Sequence, residues 1–221
     1  MQPVGVIPAA GTAERLQPLP CSKEVYPIGG RPVMDYVVER LQAADCRELR
    51  VVTRPDKADV IEHAGELGAE VVLGEPPTPA ASVALGLHGL ADSDVVLVGL
   101  PDTLWEPIDG YVQLLEHLSD GADAVLGVFE SDEPERSDVV VLDEQGAVRR
   151  VHVKEVDPPG NLVWGCFAAR VAALAGLERC PTPGHYFAGL AVAGTVRAVT
   201  FPGRMIDIGT PAALAAAEAR A

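Results

Sequence analysis

Two cations stand on one short loop near the start of the chain, and together they could bind phosphate. The stretch VIPAAGTAERLQPLPCSK, from Val6 to Lys23, carries an apolar strand, an Ala-Ala-Gly turn, Arg15 and finally the lysine. Arginine offers a planar fork of donors that matches phosphate oxygens, and lysine adds a point charge. Small residues at the turn let backbone N–H groups approach an anion closely. The loop therefore indicates a phosphate-binding site, while a glycine turn with two solvated cations is the simpler alternative.

In the first half of the chain, continuous apolar runs alternate with segments whose apolar residues have helical spacing. Such alternation predicts a parallel sheet with right-handed crossovers, and ligands of these sheets bind beyond the carboxyl ends of the strands. The loop that holds Arg15 leaves the sheet at that edge. The predicted strands are Val4–Ile7, Leu49–Thr53, Glu70–Leu73, Asp94–Gly99 and Ala122–Val128, and the predicted helices are Val33–Ala44, Asp56–Leu67, Ala80–Leu90 and Pro107–Leu118.

The pattern changes near Val139, where two apolar runs flank Asp-Glu-Gln-Gly and predict an antiparallel hairpin. An alanine-rich helix should close the chain, with Thr210 as N-cap and Pro211 at its first position. The fold class is therefore α/β: a single domain over residues 1–221, with a Rossmann-like three-layer α/β/α arrangement, a mostly parallel sheet and an antiparallel hairpin insertion. The predicted elements of this part are hairpin strands Val139–Leu142 and Val148–Val153, strands Trp164–Ala168 and Thr195–Phe201, and a helix at Val171–Leu177.

Composition and charge argue against several classes of partner. The chain has 221 residues, 48% of them hydrophobic, which suits one domain with a sizeable core. Its net charge of −15 argues against nucleic acid, which proteins bind through many Lys and Arg contacts. We see neither a signal peptide nor an apolar stretch of about 18 residues, so we expect a cytoplasmic protein without a membrane span. The four cysteines lack C-x-x-C pairing and the five histidines lack metal-ligand spacing.

The first loop resembles the signature of the sugar-phosphate nucleotidyltransferases, in particular the glucose-1-phosphate thymidylyltransferase branch. Later segments agree: GLPDT ends at Thr103, DIGTP begins at Asp207, Lys154 follows the hairpin, and the residues from Asn161 to Gly165 resemble the segment that lines the sugar. The resemblance covers about residues 4–212. The matching pairs of the first signature are Ala10-Gly11, Arg15-Leu16, Pro18-Leu19, Ser22-Lys23, Pro27-Ile28 and Arg31-Pro32.

This resemblance implies an enzyme that transfers a nucleoside monophosphate from a nucleoside triphosphate to a sugar-1-phosphate, with Mg²⁺ as cofactor. It implies a nucleotide-binding half over residues 1–128 and a sugar-binding, closing half over residues 129–221. The implied catalytic residues are Arg15 and Lys23, and the implied metal ligands are Asp102 and Asp207. The implied nucleotide-binding residues are Ala9, Ala10, Gly11, Thr12 and Ala81, and the implied sugar-phosphate-binding residues are Lys154, Asn161 and Gly165.

Departures from the family pattern keep other functions open. Ala13 replaces the second glycine of the loop, Pro20 replaces a threonine, and Thr78–Ser82 lacks the base-reading glutamine. The nucleobase is therefore not predicted. The alternatives are an enzyme acting on a non-sugar phosphate such as phosphocholine, and a non-catalytic homologue that binds nucleotide sugars and regulates a partner. A dinucleotide-binding oxidoreductase is disfavoured because the chain lacks G-x-G-x-x-G. We expect no further domain after DIGTP. The sequence leaves open whether the protein forms a homo-oligomer.

Overall fold

The computed structural model describes residues 2–119 and 121–220. The strands are β1 Val4–Pro8, β2 Pro27–Ile28, β3 Arg31–Pro32, β4 Glu48–Thr53, β5 Glu70–Leu73, β6 Val95–Gly99, β7 Thr103–Leu104, β8 Ala124–Glu130, β9 Asp138–Leu142, β10 Val148–Val153, β11 Leu162–Arg170, β12 Val196–Arg204 and β13 Ile206–Asp207. The α-helices are α1 Met34–Ala43, α2 Ala58–Glu66, α3 Pro79–Gly86, α4 Gly110–Ser119, α5 Pro183–Ala193 and α6 Pro211–Arg220.

Nine of these strands form one sheet, in which β5, β4, β1 and β6 lie side by side and parallel. The antiparallel strand β11 joins β6 to β8, and β12 lies parallel to β8 at the far edge. The hairpin β9–β10 attaches to β11 through the pair Val163 and Val139. The predicted fold class, a mostly parallel α/β sheet with an antiparallel hairpin, is confirmed.

Both faces of the sheet are covered by helices and their apolar side chains. In β6, Val96 and Val98 point into the core beneath α3 and α5, whereas Leu97 points into the core with α1, α2 and α4. All three side chains are at most 1% exposed. A strand that is buried on both faces has a continuous apolar sequence, so the segment DVVLVG predicts a strand although apolar and polar residues do not alternate in it.

The helix predicted at Val171–Leu177 is wrong. The chain forms two short 3₁₀ turns there, separated by Gly176, whose φ of 88° lies in the left-handed region and interrupts helical geometry. The helix of this region is instead α5, which the sequence reading missed. Its start has the same pattern that correctly predicted α6, a threonine N-cap followed by proline: Thr182 caps the helix and Pro183 is its first residue.

The other predicted helices and strands differ from the structure only by small shifts at their ends, with two exceptions: one helix is shorter than predicted and one strand is longer. α3 ends at Gly86 rather than at Leu90, and β11 extends from Leu162 to Arg170. The predicted cap of α6 is confirmed, because the N–H of Ala213 donates to Thr210 Oγ1 at 3.2 Å. In residues 2–119 and 121–220, no helix has both the length and the hydropathy to cross a membrane.

Candidate active site

A cleft of about 1130 Å³ opens at the edge of the sheet where β1, β5, β6, β8 and β12 end. Eight of the twelve predicted site residues line it. They are Ala10, Gly11, Thr12, Arg15, Lys23, Asp102, Lys154 and Asp207. The other four, which do not line it, are Ala9, Ala81, Asn161 and Gly165. The sheet topology therefore brings together side chains that are far apart along the chain, such as Arg15 and Asp207, which are separated by 192 positions.

The loop after β1 is fastened to the start of α2 by two charged side chains. The Lys57 ammonium donates to the carbonyl of Ala9 and to both carboxylate oxygens of Glu24, each at 2.9 Å. Asp59 accepts hydrogen bonds from the N–H and the hydroxyl of Ser22, both at 2.7 Å. These contacts hold the residues on either side of Lys23. No local pattern could have revealed them, because the partners lie 33 to 48 residues apart.

Ala13 stands in this loop with φ 52° and ψ 33°, a left-handed conformation that glycine adopts without strain. The loop that leads to Arg15 thus adopts, with alanine, a backbone conformation that suits the glycine of the family pattern.

Lys23 forms an ion pair with Asp102 inside the cleft, and each side chain is only 15% exposed. Burial lowers the pKa of the Lys23 ammonium, but the negative charges of Asp102, Asp207 and Glu24 outweigh burial and raise it above its ordinary value. Lys23 is therefore a permanent cation at neutral pH, held against one of the two predicted metal ligands.

Asp207 is brought beside Asp102 by a short antiparallel pair. β13 aligns Asp207 with Thr103 of β7, and the N–H of Ile208 donates to the Asp102 carbonyl at 3.0 Å. The surrounding protein desolvates the Asp207 carboxyl group, and the charge of Asp102 adds to this, so that its pKa rises to about 6. Lys23 and the other cation of the loop, Arg15, oppose that rise.

Two carboxylates that destabilise one another are a suitable site for a divalent cation, whose charge would relieve the repulsion. Asp102 and Asp207 fit Mg²⁺, which usually takes one or two carboxylates and completes its shell with water and phosphate oxygens. Across the described ranges, no group of three or more His, Cys, Asp or Glu side chains could hold a metal ion. A metal ion held by these two carboxylates alone would keep several coordination positions for other oxygen ligands.

Arg15 reaches toward the same corner of the cleft from the opposite side. A Cβ placed on Gly209 would lie 3.2 Å from Arg15 Nη2 and 3.0 Å from Asp207 Oδ1. The guanidinium and the carboxylate thus flank one glycine at the start of α6. Two cations and two carboxylates therefore converge within one part of the cleft, as needed for a phosphate chain and its metal ion.

The part of the cleft beside α3 is lined by the segment from Glu75 to Pro79 and by Arg54. Thr78 caps α3, accepting from the N–H of Ala81 at 3.1 Å. Arg54 and Glu75 form an ion pair at 3.5 Å across this wall, and the sequence reading missed both. The N–H of Ala81 is thus occupied by the helix cap.

The opposite part of the cleft is lined by residues of β9, β11 and the loop after β10. Lys154 is exposed there and donates its N–H to the carbonyl of Ser137 at 3.3 Å. Gly165 lies beneath Met205, since a Cβ at this glycine would stand 2.0 Å from the methionine sulfur. The Asn161 carbonyl accepts a hydrogen bond from the N–H of Ser131 at 2.9 Å, which joins the two ends of the segment that carries the hairpin β9–β10 between β8 and β11.

The fold is that of a nucleotide-sugar transferase type of α/β domain. The structure matches that of a Bacillus anthracis protein assigned as a glucose-1-phosphate thymidylyltransferase, solved with sucrose, with a TM-score of 0.86 over 100% of this chain and 95% of that chain. The two sequences are 19% identical, so this likeness shows the fold.

The family is shown by the sequence. The model of the MobA-like NTP transferase domain matches residues 5–192, so the chain belongs to this family and to the sugar-phosphate nucleotidyltransferases that its first loop resembles. Agl11 of Haloferax volcanii, a low-salt glycan biosynthesis nucleotidyltransferase, is 28% identical over 168 residues, 72% of this chain and 46% of Agl11. A Sulfolobus acidocaldarius protein assigned as a mannose-1-phosphate guanyltransferase is 26% identical over 218 residues, 93% of this chain and 59% of that protein. The chain thus spans about half the length of these two curated relatives.

Proposed function

We propose that this protein transfers a nucleotidyl group from a nucleoside triphosphate to a sugar-1-phosphate. An oxygen of the sugar phosphate forms a bond to the α-phosphorus, and the bond from that phosphorus to the β-phosphate oxygen breaks. The products are a nucleoside diphosphate sugar and pyrophosphate. The observation that carries the proposal is the convergence of Arg15, Lys23, Asp102 and Asp207 in one cleft of a chain that belongs to this family.

The protein's part in this reaction is alignment and charge neutralisation. The sugar phosphate is already anionic at neutral pH, so the attacking oxygen needs no general base. Lys23 would lie between the two approaching anions and reduce their repulsion, because its raised pKa keeps it charged. Arg15 would bind the outer phosphates and stabilise the leaving pyrophosphate with its fork of donors. Lys154, exposed in the opposite wall of the cleft, would bind the phosphate of the acceptor.

Asp102 and Asp207 would hold the metal ion. A bound Mg²⁺ supplies positive charge at the reacting phosphates and a template for their oxygens. Asp102 is paired with Lys23 in this structure, so the Lys23 ammonium lies beside the position that the two carboxylates would give the metal ion. It would therefore be close enough to interact with the substrate phosphates.

Pyrophosphate release with Mg²⁺ tests the proposal. The assay is run as a grid in which each common nucleoside triphosphate is combined with each of several sugar-1-phosphates, for the native protein and for Asp102→Asn. Asp92→Asn is the matched control, because this exposed carboxylate carries the same chemical change and does not line the cleft. We expect release in at least one combination, loss of about 100-fold or more with Asp102→Asn, and native rates with Asp92→Asn.

Two other results would replace the proposal. Release only with a non-sugar acceptor such as phosphocholine would keep the chemistry and change the substrate class. No release with any acceptor, together with a nucleotide sugar that raises the melting temperature, would indicate a binding protein without catalysis. The assay must also identify the nucleobase, because one similar protein is named for guanylyl transfer and another for thymidylyl transfer, and guanine is larger than thymine.

A further inference from the structure

A buried carboxyl group lies in the same part of the cleft as Lys154 and has no role in the chemistry proposed above. Asp138 is the first residue of β9, is 8% exposed and lines the cleft. Its Oδ2 accepts a hydrogen bond from the indole N–H of Trp164 at 3.2 Å. Its Oδ1 is buried without a hydrogen-bond partner among the described residues. The sequence reading did not consider this residue.

A carboxyl group in this state is energetically costly. Buried polar groups are nearly always hydrogen-bonded, and an unsatisfied one destabilises a protein because it has lost water without gaining a partner. Burial raises the pKa of Asp138, and the Trp164 N–H, together with the charges of Lys154 and His185, only partly offsets that rise. A group kept at such cost is a candidate for binding something other than its own protein.

The surrounding elements are shaped to hold this carboxyl group in place. A Cβ on Gly184, in the first turn of α5, would lie 2.0 Å from Asp138 Oδ2, so only glycine leaves room for the oxygen. Trp164 is fixed in turn by edge-to-face packing on Phe167 and Phe187, with ring centroids 6.2 and 5.9 Å away. A rigid donor thus fixes one oxygen of the carboxyl group.

Lys154 lies in the same wall of the cleft, because its N–H binds the carbonyl of Ser137, the neighbour of Asp138. An acceptor whose phosphate is bound by Lys154 would therefore lie in the part of the cleft that Asp138 also lines. The terminal torsion of an Asp side chain has a broad minimum, so a modest rotation of the carboxyl group can turn the unpartnered Oδ1 toward the cleft. Hydroxyl groups are the hydrogen-bond donors that a sugar phosphate offers to such a carboxyl group.

We infer that Asp138 accepts a hydrogen bond from one hydroxyl group of the acceptor sugar phosphate and is thereby a specificity-determining residue. The inference rests on the proposed function and adds to it the group that is recognised. A site built to bind a hydroxyl group rejects an analogue without it, because the buried acceptor is then left unpaired. The alternative is that Asp138 only supports the first turn of α5.

The test uses sugar-1-phosphates in which single hydroxyl groups are replaced by fluorine, which cannot donate a hydrogen bond. Specificity is measured as kcat/KM for each analogue relative to its parent sugar phosphate. For the native protein we expect one position to show a loss of about 100-fold or more. Asp138→Asn keeps the size of the side chain, and Trp164→Phe keeps the aromatic packing while removing the N–H donor.

We expect Asp138→Asn to lower kcat/KM for the parent, mainly through KM, and to reduce the penalty at that one position below about tenfold. Trp164→Phe should reduce the same penalty by a smaller factor. Asp157→Asn is the control, since this exposed carboxylate in the loop after Lys154 does not line the cleft. It should leave every ratio unchanged.

Two outcomes would overturn the inference while leaving the proposed function intact. One is a native protein that tolerates fluorine at every position. The other is an Asp138→Asn variant that loses activity equally with the parent and all analogues, which is the behaviour of a purely structural carboxylate. Absence of pyrophosphate release from the native protein with every sugar phosphate is a different result, and would overturn the proposed function together with this inference.

Discussion

Replacing Lys57 with methionine removes the cation that fastens the first loop to α2. The Lys57 and Glu24 side chains are 11% and 2% exposed, and three hydrogen bonds at 2.9 Å end on the ammonium. Removing one partner of a buried ion pair costs about 3–5 kcal/mol, because the other charge stays buried without compensation. We expect Lys57→Met to lower the free energy of unfolding by that amount at pH 8.

The pH dependence follows from the carboxyl group that remains. Burial raises the pKa of Glu24 above its ordinary value, and Lys57 is the main group that opposes this rise. Without Lys57 the pKa rises further, so the folded variant takes up a proton more readily than its unfolded chain. Its stability therefore falls as pH increases through that raised pKa, and the deficit relative to the native protein should shrink at pH 5.

Urea unfolding followed by tryptophan fluorescence measures this effect at both pH values. Glu24→Gln and the double variant complete a cycle, and Arg31→Met, in an ion pair whose side chains are 40% and 50% exposed, serves as the surface control. We expect the double variant to be more stable than Lys57→Met by about 1–2 kcal/mol, and the control to lose less than about 1 kcal/mol. Strictly additive effects of Lys57→Met and Glu24→Gln would refute the idea that this pair acts as a unit.

Three further substitutions test repulsion between charges in the cleft, backbone strain in the first loop and packing beside the cleft. Asp207→Asn should raise the free energy of unfolding by about 1 kcal/mol at pH 8 and by little at pH 4. The pKa of Asp207 is raised from 3.8 to about 6, so its charged form destabilises the folded protein above pH 6. The full pKa shift corresponds to about 3 kcal/mol, and solvent in the cleft reduces this energy. A stabilisation that is equal at both pH values would contradict this reason. Ala13→Gly should stabilise the protein by about 0.5–1 kcal/mol in thermal unfolding, since φ 52° suits glycine, and a lower melting temperature would show that the loop is unstrained. Gly165→Ala should push the flexible Met205 side chain into the cleft, raising the acceptor KM more than it lowers the melting temperature, whereas an unchanged KM would place Met205 away from the acceptor.

The sequence by itself determined the sheet, most of its helices and the position of the loop that carries Arg15 and Lys23. Apolar runs reveal buried strands because both faces must leave water, and strand–helix alternation leaves parallel pairing as the economical arrangement. The side chains that follow strands could then be assigned to one edge of the sheet. α5 was predictable from Thr182 and Pro183 and was overlooked, whereas the break at Gly176 depended on a single backbone angle.

Only the tertiary structure decided which side chains meet. The approach of Asp207 to Asp102 depends on the pairing of β13 with β7, two strands too short to leave a periodic pattern. The contacts of Lys57 with Glu24 and of Trp164 with Asp138 join residues 33 and 26 positions apart. Local periodicity reports which face of an element avoids water, but it carries no information about the partner across a loop. Those partners, and the pKa values that depend on them, are set by how the completed elements pack.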